Sequence, residues 1–328
     1  MRAAVVGSDG LRITDVPKPV IKPHQILTRV HYAGLNRADL AMSAGHKHGA
    51  AGGSGAIAGL EWSGEVVEVG SEISEYRAGD LVMCSGAGGY AEFAVSDLSR
   101  TNPLPSTTTD DNGYDLKTAA ALPVALQTMH DAIVTNGELQ KDDSVLILGA
   151  SSGVGIIGMQ IAKFMGAAKV FGTSTNNARR TELTRYGADL TFDTNDREWP
   201  AQVMEATEGK GVNLVVDQIS AGTIRSAMKC AAILGRIVNV GRLGGMTGDF
   251  DFDLHARKRL QYIGVTFRTR SFEEVLAINT AMRRDLWPAL EQRKFDIPIH
   301  QTFPLAQANE AQRYMANNQH FGKILLEL

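Results

Sequence analysis

Apolar and polar positions alternate with period two through the first third of the chain. Arg2–Val6 and Leu11–Val16 alternate, Gln25–Ala33 is a longer run, and Trp62–Val69 alternates before a turn at Gly70. Asp80–Met83 and Tyr90–Val95 complete the series, and glycines at 59, 64, 70, 79, 86, 88 and 89 punctuate it. Short alternating runs broken by turn residues predict a small, strongly bent β-barrel. From Ala119 a helical pattern takes over, and strands then alternate with helices. Strands are expected at 144–148, 169–173, 189–193, 212–217 and 236–240, with helices at 155–165, 178–186, 199–208 and 221–232 between them. That order predicts an α/β fold with a doubly wound parallel sheet of the Rossmann type. A last strand at 260–266 leads into a long amphipathic helix at 271–293, and the tail Phe321–Leu328 reads as one more strand. The expected division is a β-rich domain built from 1–118 and 267–328 and a nucleotide domain at 119–266, with the ligand in the cleft between them.

Length and composition narrow the class. A chain of 328 residues suggests two ordinary domains with real cores. A net charge of −3 gives no electrostatic reason to expect nucleic acid or an anionic membrane as partner. No apolar run reaches the roughly eighteen residues of a membrane span, and the N-terminus has no signal-peptide core, so a cytoplasmic location is expected. Cys84 and Cys230 are far apart and have no CxxC partner. His46-Lys47-His48 offers two imidazoles without a third ligand, so no metal is expected.

The most specific chemistry lies at 144–182. The apolar run Ser144–Leu148 is followed by Gly149-Ala150-Ser151-Ser152-Gly153-Val154-Gly155 and then by a helical stretch. Strand, glycine-rich turn and helix in that order make a seat for a dinucleotide pyrophosphate. The glycines admit close backbone approach, and the helix N-terminus offers unpaired N–H groups. No Asp or Glu occurs between Asp143 and Glu182, whereas an NAD site usually places a carboxylate about 20 residues on, at the ribose 2′-OH. The second strand runs instead into Ser174-Thr-Asn-Asn-Ala-Arg179-Arg180. Hydroxyls, amides and two arginines suit a 2′-phosphate, so NADPH is expected in preference to NADH.

The turn is nearly that of short-chain dehydrogenases, which use a Tyr-x-x-x-Lys pair. No tyrosine here has lysine four residues on, and Tyr114-Asp-Leu-Lys117 has the wrong spacing. End to end the chain instead resembles the zinc-free quinone oxidoreductase, or zeta-crystallin-like, branch of the medium-chain dehydrogenase/reductase superfamily. Leu35-Asn-Arg-Ala-Asp-Leu40, Gly59-Leu-Glu-Trp-Ser-Gly64, Gly79-Asp80, Gly88-Gly-Tyr-Ala-Glu92 and the glycine turn carry the resemblance. Gly211–Asp217, Gly235–Gly241 and Phe321-Gly-Lys-Ile324 continue it. Zinc-dependent members carry Cys near the Asn36 position and Gly-His-Glu where this chain has Gly59-Leu60-Glu61.

The resemblance implies a GroES-like barrel beside the Rossmann domain, and a homodimer that pairs strand 260–266 with its mate. It places nicotinamide contacts on Asn36 and Thr128, with backbone help near Gly241 and Phe267, and the 2′-phosphate on Arg179. Lys323 matches a lysine often near the cofactor. Where relatives continue with Gly-x-Tyr and prolines, this chain has Gly45-His46-Lys47-His48-Gly49 and a Gly/Ala/Ser run, which reads as a solvated loop. An apparent insertion occupies 107–115.

Hydride from the nicotinamide puts negative charge on an acceptor oxygen, which needs hydrogen-bond donors. Without zinc, an activated acceptor is favoured over a simple alcohol or ketone. Asn36, His46, Lys47 and His48 are the candidate donors or proton sources. Three readings follow: reduction of a quinone, reduction of a conjugated C=C bond in an enone, alkenal or enoyl thioester, or NADPH binding in a redox-sensing or structural role with little turnover.

Overall fold

The computed structural model describes residues 1–49, 51–106 and 113–328. Most of the apparent insertion, 107–112, therefore lies outside the described residues. The chain divides into two compact units, one of Met1–Val124 with Phe267–Leu328 and one of Ala125–Thr266.

The first unit opens with β1 (Arg2–Gly7), β2 (Gly10–Asp15) and β3 (Gln25–Gly34), then α1 (Arg37–Ser43), β4 (Lys47–His48) and β5 (Ala51–Gly52). It continues with β6 (Glu61–Val69), β7 (Leu81–Ser85), β8 (Phe93–Asp97), β9 (Thr101–Pro103) and α2 (Leu116–Ala119). The second unit holds α3 (Pro123–His130), whose first two residues belong to the first unit, followed by β10 (Ser144–Leu148), α4 (Gly153–Phe164), β11 (Lys169–Thr173), α5 (Asn177–Leu183) and β12 (Leu190–Phe192). It is completed by α6 (Trp199–Ala206), β13 (Val212–Asp217), α7 (Ile224–Cys230), β14 (Ala231–Asn239), α8 (Phe252–Lys258) and β15 (Gln261–Gly264). The chain then returns to the first unit with α9 (Phe272–Glu291), β16 (Ile299–Pro304), α10 (Ala308–Ala316) and β17 (Lys323–Glu327).

In the first unit β3 is the hub. Its first half pairs with β8, its second half with β17, and its other edge with β6, all antiparallel. Register shifts between Leu27 and Thr28 and between Val30 and Tyr32 bend it, which lets one strand serve two neighbours in turn. Alternation puts Ile26, Val30, Trp62, Val66, Val82, Tyr90 and Leu326 into one buried cluster with Met315 of α10. Gly64 has to be glycine, because a Cβ there would lie 1.9 Å from the carbonyl oxygen of Arg29. The segment His46–Gly53, expected as a solvated loop, carries a short antiparallel pair instead, Lys47 with Gly52 and His48 with Ala51. Glycines 45, 49, 52 and 53, all with φ between 65° and 93°, supply the left-handed turns it needs.

In the second unit all strand pairs are parallel, in the order β12-β11-β10-β13-β14-β15. The strand order reverses between β10 and β13, so a crevice opens beyond their carboxyl ends. Val145–Leu148 and Leu214–Val216 are fully buried, as strands covered on both faces must be. The last strand, expected over 260–266, is shorter and ends at Gly264. Residues 119–124, expected with the nucleotide domain, cluster with the first unit. Glu61 accepts from the Val124 backbone N–H at 2.9 Å, and α2 packs on β6 and β3.

Candidate functional site

The glycine turn is built from three anchors. Gly149 sits at φ 73°, its N–H donates to Thr173 Oγ1 at 3.1 Å, and the Ala150 N–H donates to the Thr173 carbonyl at 2.9 Å. Ser152 caps α4, with Oγ accepting from the Gly155 N–H at 3.0 Å. Gly155 lies so close to the turn that a Cβ would come within 2.7–2.8 Å of Ala150 Cα and the carbonyl oxygens of Gly149 and Ala150. The helix N-terminus is thus held close under the turn, with its partial positive charge facing the crevice.

Gln218, just past β13, is the cross-brace. Its Nε2 donates to the carbonyls of Leu148 and Gly149 at 3.2 Å each, and its Oε1 accepts from Ser152 Oγ at 3.0 Å. The bend that aims it is held by Asp217, whose Oδ1 accepts from the N–H groups of Ile219 and Ser220 at 2.8 and 2.9 Å. Burial pushes the Asp217 carboxyl up, opposed by those two N–H groups and by Arg242. Its other oxygen is buried with no partner among the described residues. Ser220 takes a left-handed φ of 68° and donates to the Gly241 carbonyl, while Asn239 donates to Ser220 Oγ. A Cβ at Gly241 would lie 2.7 Å from the Gln218 carbonyl oxygen. Gly149 and Gly241 are therefore brought to one bend around Gln218. Thr128, on α3, is half-buried in the same unit.

At the end of β11, Ser174 Oγ lies 3.2 Å from Ser151 Oγ. Arg179 is half-buried at the start of α5, where its N–H donates to the cap residue Asn176. Arg180, the second arginine expected at the 2′-phosphate, is half-buried beside it. Its Nη1 donates to the Ser174 carbonyl at 2.7 Å and pairs with Asp193 Oδ2 at 2.9 Å.

Inside the first unit a second constellation surrounds Asn36, the cap residue of α1. Asn36 Nδ2 donates to Glu61 Oε1 at 2.9 Å, and its Oδ1 accepts from Lys323 Nζ at 2.8 Å. Lys323 also donates to the Leu35 carbonyl at 3.2 Å and forms an ion pair with Glu61. Lysine and carboxylate are almost completely buried, and the ammonium's three hydrogens have three oxygen partners. Lys323 thus holds Asn36 and Glu61 in place. Asp39 accepts from the Asn36 backbone N–H at 2.7 Å and from Tyr90 OH at 2.8 Å on one oxygen, leaving the other without a partner among the described residues. Complete burial pushes its carboxyl up to about 7, against the pull of those two donors and of Lys323.

His46 and Lys47 are exposed on the hairpin, and the His48 side chain lies outside the described residues. A Cβ at Gly49 would lie 2.6 Å from the Arg268 carbonyl oxygen, so the hairpin tip rests on the backbone next to half-buried Phe267.

Two family models match the chain. One described as alcohol dehydrogenase GroES-like domain covers residues 22–106, and one described as zinc-binding dehydrogenase covers 153–280. The chain belongs to the medium-chain dehydrogenase/reductase superfamily. Among curated relatives it is 26% identical to rat quinone oxidoreductase over 96% of this chain and 92% of the relative. It is 27% identical to one component of the phenolphthiocerol/phthiocerol polyketide synthase of Mycobacterium tuberculosis over 98% of this chain, which spans 14% of that much longer protein. The crystal structure of Escherichia coli quinone oxidoreductase complexed with NADPH superposes with a TM-score of 0.86 over 100% of this chain and 99% of that one, at 22% identity, which establishes the shared fold. Membership makes the protein an oxidoreductase of a nicotinamide-using superfamily, and the quinone oxidoreductase matches support that branch of it.

The zinc of other superfamily members does not fit here. Leu60 carries no donor atom. Both oxygens of Glu61 are taken, by Lys323 with Asn36 and by the Val124 N–H, and the ammonium of Lys323 already brings a cation to the carboxylate. Among the described residues no group of three or more His, Cys, Asp or Glu is arranged to hold a metal.

The braces were the part of the site missing from the sequence reading. Asn36-x-x-Asp39 has the spacing of a cap pair, and Gln218 follows the carboxyl end of an apolar strand, so both had local signals. The meeting of Glu61 with Lys323, 262 positions apart, has none.

Proposed function

We propose that the protein is an NADPH-dependent, zinc-independent oxidoreductase whose acceptor is a quinone. The observation that carries the reading is the buried Glu61–Lys323–Asn36 cluster in a chain that also carries a dinucleotide turn. Leu60 stands where zinc-dependent members carry His, and the neighbouring Glu61 is held in an internal ion pair with Lys323. A simple carbonyl needs a strong electrophile to stabilise the developing oxyanion, whereas a quinone carries its own electron sink. When bound, NADPH supplies the hydride. The chain's residues then bind, orient and protonate.

Gly149, Ala150, Ser151, Gly153, Val154 and Gly155 would hold the pyrophosphate on backbone N–H groups at the α4 terminus. Ser174 and Arg179 would face the 2′-phosphate, and Thr128, Gly241 and Phe267 the nicotinamide end. Asn36 is fixed in orientation by Glu61 and Lys323, which leaves one amide hydrogen for the coenzyme or acceptor. The exposed Lys47 and His46 supply protons to the reduced oxygen.

Matches to polyketide synthases that are named as reducing favour a second reading, reduction of a conjugated C=C bond by the same residues. Steady-state NADPH oxidation with matched quinones and enones, followed by product analysis, separates the two. A hydroquinone formed with the larger kcat/KM supports the proposal. A saturated ketone formed with the larger kcat/KM replaces it with the second reading.

A further inference from the structure

The ribose end of the coenzyme seat contains a carboxylate that sequence spacing hides. Asp193 lies one residue beyond β12, 19 positions after Ser174, yet parallel pairing of β11 with β12 brings the two strand ends side by side. A single nitrogen, Arg180 Nη1, bridges them at 2.7 Å to the Ser174 carbonyl and 2.9 Å to Asp193 Oδ2. The carboxylate is thus no more than two hydrogen-bond lengths from the Ser174 carbonyl, at the strand end where the ribose is expected. Arg180 Nη2 is also held, by Asn177 Oδ1 at 3.2 Å, and Asp193 Oδ1 accepts from the Asn195 N–H at 3.0 Å. The Arg180 side chain is only 15% exposed and that of Asp193 32%, so solvent screens the pair less than an ordinary surface pair.

We propose that Arg180 sets coenzyme preference indirectly, by neutralising Asp193 and fixing the Ser174 carbonyl, rather than by binding the 2′-phosphate. Asp193 is a masked NAD-type acid. Without its guanidinium it would repel a 2′-phosphate and accept a hydrogen bond from a ribose 2′-OH. Arg180 is a positioning residue in this scheme, and Arg179 is left as the direct phosphate ligand. The proposal rests on the NADPH reading above.

The test is equilibrium binding of NADPH, NADH, 2′-AMP and 5′-AMP to the parent, Arg180→Ala, Asp193→Asn and the double variant. The parent decides the NADPH reading first, because equal or tighter binding of NADH would sink that reading whatever the variants do. Given a parent that prefers NADPH, Arg180→Ala is expected to weaken NADPH and 2′-AMP at least tenfold while NADH and 5′-AMP stay within about threefold or tighten. The double variant is expected to regain NADPH preference to within about threefold of the parent, a rescue that lost packing would not produce. Failure of Asp193→Asn to restore the preference would show a direct phosphate contact by Arg180 and overturn the proposal. If Arg180→Ala does not fold, Arg180→Gln takes its place. Asp193→Asn alone still discriminates, because masking predicts unchanged or stronger NADPH preference, and a weaker one contradicts it.

Discussion

At the scale of single residues, the first unit keeps four ionisable side chains, Lys323, Glu61, Asp39 and Tyr90, out of water within one network. Lys323 and Glu61 are paired and hydrogen-bonded, so removing one partner strands the other. Lys323→Met is expected to destabilise the protein by about 3–5 kcal/mol in urea unfolding, far more than a surface lysine substitution. Asp39 is the opposite case, a carboxyl raised by burial to about 7. Its folded state therefore holds a proton that the unfolded chain releases near pH 4. The associated stability is complete below that value and is lost as pH rises through about 7. Asp39→Asn keeps an acceptor for Tyr90 and Asn36 but does not titrate. Raising the pH from 5 to 8 should destabilise the parent relative to this variant by roughly 2–3 kcal/mol. Parallel pH profiles for the two proteins would contradict the assignment.

At the scale of elements, the proposed coenzyme seat depends on how closely α4 approaches the turn before it. Gly155→Ala puts a methyl group against backbone atoms that cannot move independently, so NADPH affinity should fall by on the order of a hundredfold, measured by fluorescence titration. Gln218→Leu removes the brace but no atom expected to touch the coenzyme. It should raise the KM for NADPH about tenfold, with kcat changed much less, and its effect should not add to that of Ser152→Ala, since both act through one hydrogen-bonded unit.

Much of this was legible in the chain. Alternation located β1 and β6, a longer run located β3, and the βα series located the parallel sheet, although β1 buries Ala3 to Val6 in succession. Most elements not read were short or weakly patterned, whereas α10 was missed although Ala308, Ala311, Gln312 and Met315 are buried at helical spacing. α1 has only seven residues, β16 mixes buried and exposed positions irregularly, and the hairpin at Lys47–Gly52 is made by glycine torsions rather than by hydrophobic spacing. Arg180 was legible as a charge at the ribose end. Its partner Asp193 was not, since their meeting depends on a strand-to-strand register that spacing along one chain does not encode.

At the scale of the whole molecule, the chain forms two units with separate cores. Each holds a braced cluster, the glycine turn with Gln218 in one and the Glu61–Lys323 ion pair at Asn36 in the other. The hairpin at His46–His48, on which His46 and Lys47 are exposed, stands where relatives of the family it resembles continue with Gly-x-Tyr and prolines. Replacing all three residues with alanine should lower kcat/KM for the acceptor about tenfold or more and leave NADPH binding unchanged. An unaltered kcat/KM would remove the hairpin from the chemistry.

Consumption of bound NADPH is the property on which the proposed activity stands most directly. The complex of the protein with NADPH should be mixed anaerobically with one equivalent of a quinone, and loss of the reduced coenzyme compared with formation of hydroquinone. One hydroquinone for each NADPH oxidised is the predicted result. NADPH that stays bound and reduced in the presence of both quinones and enones would contradict it, and would make this superfamily member a coenzyme-binding protein rather than a reductase.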